Sequence, residues 1–141
     1  MNVVDSCGWL EYLADGANAS FFEPALLDEA ALLVPAVTLF EVTRTVLRQR
    51  GPAAAETALG FMIRGKVVDL DAAGLLRAAQ ASVAHRLAMA DALIWQTATD
   101  HAAALWTQDA DLSGLPGVRY RAKLPSAPSA PSAPSALSAP A

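Results

Sequence analysis

The sequence predicts an α/β protein whose mostly parallel sheet is covered by helices on both faces. Three observations predict it. Short apolar runs with little alternation recur along the chain: "NVVD", "LLVP", "KVVDL", "AALWT" and "GVRY". Such runs suit strands buried on both faces. Longer stretches with helical spacing separate them, and Gly, Pro and Asp punctuate the junctions.

Each element has its own warrant. "NVVD" (2–5) reads as a first buried strand ending in Asp5. "SCGWLEYLADG" follows with Trp9, Leu10 and Leu13 at helical spacing and Gly16 as a stop. "NASFFEPALLDEAA" is a second helical stretch with Pro24 near its beginning, and "LLVP" (32–35) a second strand. The segment 38–51 predicts a helix with Thr38 as N-cap, an apolar stripe of Leu39, Val42, Val46 and Leu47, and Gly51 as terminator. "PAAAETALGFMIRG" (52–65) opens on Pro and closes on Gly, as helices favour. "KVVDL" (66–70) is a third strand, Asp71 caps the next helix, and "MADALIWQTATDH" forms the last. Strands at 103–107 and 117–120 complete the pattern.

From Pro125 to Ala141 the chain is an uncharged Pro-Ser-Ala repeat with almost no large apolar residue. It is expected to be a disordered, partly polyproline-like tail, leaving residues 1–124 as one domain with a real core. Hydrophobic residues at 54% against 17% charged exclude a disordered chain overall. No apolar run is long and charge-free enough to span a bilayer, and the start lacks the basic flank of a signal peptide. The single cysteine, Cys7, excludes an internal disulfide and fits a cytoplasmic protein. It reads as a small buried hydrophobe rather than a nucleophile. His85 and His101 make no zinc motif with one cysteine. The net charge of −4 speaks against nonspecific nucleic-acid binding through a basic surface, unless the acids hold metal.

Several acids stand where ligands bind in such folds, at the carboxyl ends of strands. Asp5 caps a helix or serves a site with equal weight. Glu41, three residues after Thr38, fits a capping box with it, and also fits a surface pair with Arg44. Asp91 lies among Met89, Ala90, Leu93, Ile94 and Trp95. A carboxylate unpaired in such surroundings costs several kcal/mol (roughly), and it could instead cap a helix starting at Ala92. Asp109 and Asp111 fit a turn before "SGLPG". These readings are cheap singly and strained together. Two carboxylates about 4 Å apart repel by about 4 kcal/mol at an effective dielectric near 20. Hard oxygen donors gathered in this way suit Mg2+ or Mn2+, and phosphodiester hydrolysis is the chemistry that needs them.

The segments "VVDSCGWLEYL", "VPAVTLFEVTRTV" and "LAMADALIWQTATDHAAALWTQDADL" resemble the PIN-domain nucleases, in particular the VapC-type toxins of type II toxin–antitoxin pairs. The resemblance runs from Met1 to about Arg121. It implies a three-layer α/β/α fold with a five-stranded sheet in the order 3-2-1-4-5. It also implies a Mg2+- or Mn2+-dependent endoribonuclease acting on RNA, commonly tRNA or rRNA, with a cognate antitoxin and a homodimeric state. The acidic centre carries over to Asp5, Glu41, Asp91 and Asp109 as catalytic residues and metal ligands. Asp111 is an additional acid, and Ser6 and Thr107 are assisting hydroxyls. Leu112 departs from the aromatic more usual after the second Asp. Arg44 and Arg48 share a face with Glu41 by spacing; holding RNA phosphates and forming a solvated face weigh equally there. Two competing readings stand beside this one: a catalytically silent PIN-like binding module, whose mark is loss of acids, and a receiver-like phosphoacceptor domain. The latter wants an adjacent acidic pair after the first strand and a late lysine, whereas the strand ends "DSC" and the lysines are Lys66 and Lys123.

Overall fold

The structure is a computed structural model that describes residues 1–125. The expected tail therefore lies, from residue 126 onward, outside the described residues. Five short strands, β1 (Asn2–Val4), β2 (Leu32–Pro35), β3 (Lys66–Val68), β4 (Ala104–Thr107) and β5 (Val118–Tyr120), form one sheet in the order β3-β2-β1-β4-β5. Every pairing is parallel, with Val3 opposite both Leu33 and Leu105.

Six helices connect and cover the strands: α1 (Ser6–Leu13), α2 (Ala19–Leu27), α3 (Ala36–Arg50), α4 (Pro52–Met62), α5 (Ala72–His85) and α6 (Met89–Asp100). The two-residue period of the strands splits the interior into two cores. Val4, Leu32 and Val34 pack with Trp9, Phe22, Val42 and Met62 on one face. Val3, Leu33 and Leu105 pack with Ile94, Trp95 and Ala98 on the other. Leu112, the departure from the usual aromatic, is fully buried in this second core. Gly8 brings α1 close to β1, because a Cβ there would stand 2.6 Å from the Phe22 ring and 2.7 Å from Val4.

The structure differs from the sequence expectations at the start of α3 and in the place of Pro24. α3 begins at Ala36, with Pro35 rather than Thr38 as its N-cap. Thr38 is buried within the helix and its hydroxyl has no partner, so the capping box with Glu41 does not form. The physical reason is Pro35, whose fixed φ of −60° suits the extended residue that launches the helix. α6 begins at Met89, as the segment "MADALIWQTATDH" predicts, and Asp91 lies in its first turn rather than capping a helix at Ala92. Pro24 falls inside α2 rather than near its beginning. Asp71 caps α5 as expected, accepting from the Gly74 amide at 2.8 Å.

Candidate metal centre

Parallel order places the carboxyl ends of β1 and β4 side by side, and the chain departs from each with an aspartate. Asp5 follows β1 directly and its amide still donates to the Trp106 carbonyl at 3.0 Å, so the sheet ladder fixes its backbone. Its Oδ1 accepts from the Ser6 amide at 2.7 Å. Its Oδ2 accepts from the Thr107 hydroxyl at 2.8 Å and the Cys7 thiol at 3.2 Å. Thr107 is fully buried, and its oxygen also accepts from the Asp109 amide at 2.9 Å. One threonine thus ties the two aspartates together.

Asp91 reaches the same place from the first turn of α6. Asp5, Asp91 and Asp109 each offer an oxygen to a group whose ligand atoms lie within 4.8 Å of one another. The electrostatics follow from the geometry. Burial pushes the Asp91 carboxyl up to about 7, and the charges of Asp5, Asp109, Glu41 and Asp111 push the same way. Burial also raises Asp5, against the three hydrogen bonds that favour its charged form, and Asp109 adds to the rise. No cation among the protein's own side chains forms an ion pair with these acids among the described residues; the ion pairs are Arg64–Glu29 and Arg77–Asp100. An all-oxygen donor set in which burial and neighbouring charge raise Asp91 to about 7 fits a hard divalent cation.

The other expected residues sort themselves around this triad. Glu41 stands outside the three-carboxylate group and accepts from the Ser6 hydroxyl at 2.5 Å. Asp111 is exposed and its amide donates to Asp109 Oδ1 at 2.9 Å. Arg44 and Arg48 are exposed; Arg44 lines a groove with Leu39, Phe40, Leu47 and Leu59 between α3 and α4.

Cys7 is a residue whose role the sequence reading missed. It is half-buried, and its thiol is spent on Asp5 rather than on apolar packing. Burial, reinforced by the Asp5 charge, pushes that thiol up to about 12, so it remains a donor and is no nucleophile. The signal was present: the second residue after a strand-end aspartate, in the first turn of the following helix, turns back toward it.

A parallel α/β sheet with carboxylates converging at its carboxyl edge defines a class of protein with an acidic centre. The chain belongs to the PIN domain family, which it matches over residues 3–118. Its fold is similar to a toxin–antitoxin complex from Klebsiella pneumoniae, with a TM-score of 0.72 at 18% identity over 88% of this chain and 100% of that one. It is also similar to the sarcin-ricin loop cleaving toxin VapC20 from Mycobacterium tuberculosis, with a TM-score of 0.69, 20% identity, and 84% and 99% of the two chains covered. DNA-bound VapBC from Salmonella typhimurium gives a TM-score of 0.66 at 18% identity, covering 86% and 96%. No curated protein matches the chain.

Proposed function

We propose that this protein is a Mg2+- or Mn2+-dependent endoribonuclease and the toxin of a type II toxin–antitoxin pair. The observation that carries the reading is the convergence of Asp5, Asp91 and Asp109 within 4.8 Å, without a protein cation to balance them. In this reading those three carboxylates would hold the ion, with Glu41 as a fourth acid. A bound divalent cation supplies Lewis acidity for phosphodiester hydrolysis.

The protein's part is to hold and charge the acids. Thr107, Cys7 and the Ser6 amide keep Asp5 oriented, and the Ser6 hydroxyl keeps Glu41 turned toward α1. Asp91, raised to about 7, would lose its proton near neutral pH on holding a cation. Asp111 tunes the charge around Asp91, and Arg44 and Arg48 are proposed to meet RNA phosphates at the rim. The strand order separates this fold from receiver domains, whose order is 2-1-3-4-5.

The RNA, expected to be tRNA or rRNA, and a second copy of the chain rest on the family resemblance. An antitoxin partner is supported by neighbours that are themselves toxin–antitoxin complexes. Phe40, Leu47 and Ile63, exposed along α3 and just past α4, supply apolar surface for such a partner to cover. No helix among the described residues is long and apolar enough to cross a membrane, in keeping with the proposed cytoplasmic site of action.

The test is incubation of the purified protein with RNA, with Mg2+ or Mn2+ and with EDTA. Cleavage only with metal is expected. Cleavage in EDTA would overturn the metal-dependent mechanism, and no cleavage under either condition would favour a silent binding module.

A further inference from the structure

Between Thr107 and Asp109 stands Gln108, which the mechanism above does not use. Its side chain is 6% exposed and enters a polar network on the far side of the strand end. Its Nε2 donates to Glu11 Oε2 at 3.2 Å, and its Oε1 accepts from Asn18 Nδ2 at 3.1 Å. Glu11, on α1, also accepts from the Asn18 amide through Oε1 at 3.0 Å. Asn18, 1% exposed, donates a further hydrogen bond to the Ala122 carbonyl at 3.0 Å. Gly16 leaves room for this, because a Cβ there would collide with the Glu11 carboxylate.

The placement matters because the sheet ends at Thr107. Asp109 caps a short 3-10 turn, Ala110–Leu112, beyond the last ladder bond, so the sheet alone does not fix it. Side chains along an extended chain alternate, so a grip on residue 108 from one side sets residues 107 and 109 on the other. Glu11 belongs to the same helix that begins at Asp5. The Glu11–Gln108 hydrogen bond therefore links the element carrying Asp5 directly to the segment carrying Asp109.

We propose that Gln108, clamped by Glu11 and Asn18, is a positioning residue that sets the spacing of Asp5 and Asp109 for the cation. The inference rests on the metal-dependent reading above and deepens it.

The experiment uses the full chain and Mn2+ as probe. Mn2+ affinity is measured by calorimetry on metal-free protein, and kcat and KM on an RNA substrate, for wild type, Q108E and E11Q/Q108E. Q108E sets one carboxylate against another at the contact with Glu11. The double variant exchanges donor and acceptor, so every hydrogen bond of the network is restored. Q108E is expected to weaken Mn2+ binding and lower kcat by about tenfold or more, the scale typical of groups that orient metal ligands. KM should stay within about twofold, and E11Q/Q108E should return both quantities to within about threefold of wild type.

A purely structural role would lower the melting temperature of Q108E and leave Mn2+ affinity and kcat unchanged, and that result overturns the proposal. If Q108E fails to fold, E11Q alone, which turns two amides toward each other, replaces it; unchanged Mn2+ affinity there is equally fatal. A folded double variant that does not recover removes the assignment to this hydrogen bond. Wild type that neither binds Mn2+ nor cleaves RNA overturns the metal-dependent reading itself, which distinguishes that failure from loss of the positioning role alone.

Discussion

At the scale of single residues, the two aspartates of "TQDADL" are not equivalent. Asp109 joins the three-carboxylate group and caps the turn, whereas Asp111 is exposed. Asp109→Asn keeps an oxygen for the Asp111 amide and removes the charge proposed to hold the cation, so it separates that role from the cap. It is expected to lower cleavage by more than about 100-fold, and Asp111→Asn by less, at most the roughly 10- to 100-fold loss typical of groups outside the ligand set. Parallel cleavage assays decide, and equal losses would make both aspartates ligands. Asp91 gives a second prediction, about pH. Its carboxyl stands at about 7 in the folded chain against an ordinary 3.8, so the folded chain binds more protons between those values. Stability of the metal-free protein should therefore fall as pH rises through that window, and Asp5, also raised, adds in the same direction. Melting in EDTA at about pH 5.5 and about pH 8 is expected to show the lower temperature at the higher pH, with Mn2+ recovering more there. A melting temperature that rises instead would show that the acids are already compensated within the protein.

At the scale of elements, α1 carries much of the site on one short helix: Asp5 caps it, and Ser6, Cys7 and Glu11 lie within it. Gly8 is what lets that helix sit down on β1 and Phe22. Gly8→Ala gains helix propensity but forces backbone or ring to move, and overpacking of this kind costs about 1–3 kcal/mol. Urea unfolding is expected to show a lower midpoint for the variant; a midpoint equal to wild type would mean that the Phe22 ring yields without cost. The same helix shows what the sequence made legible. β1 and β2 were readable from their apolar runs because burial leaves a nearly continuous signal, whereas the largely exposed edge strands β3 and β5 were readable from short runs with Val or Tyr beside glycine. Asp5 and Asp109 were readable because strand ends in parallel sheets point to one edge. The start of α3 was not, because Thr38 and Glu41 have capping-box spacing while Pro35, outside that motif, launches the helix. The partners of Gln108 were not either. They lie 90 and 97 residues away, and a local pattern carries no record of such neighbours.

At the scale of the whole molecule, the sheet is tied down almost to the end of the described chain. The Arg121 amide donates to the Thr107 carbonyl at 3.1 Å, and Asn18 holds the Ala122 carbonyl. The sequence beyond contains no charge and almost no large apolar residue to add to either core. Deleting residues 126–141 is therefore expected to leave cleavage and melting unchanged. A fall of more than about 4 °C, equivalent to roughly 1 kcal/mol in a domain of this size, would show that the segment stabilises the fold. The central position of β1 has a consequence for the order in which this protein comes into being. Residues 2–4 are synthesised well before 104–107, one of their two neighbouring strands. Thr107 meets Asp5 across 102 positions of sequence. Non-local parallel pairing of this kind forms late, because the intervening loop must close before any contact rewards it. A growing chain still short of Asp109 thus holds its first aspartate without its counterpart. The centre proposed to cut RNA is completed only after the segment carrying Asp109 has left the machine, itself built of RNA, that is making it.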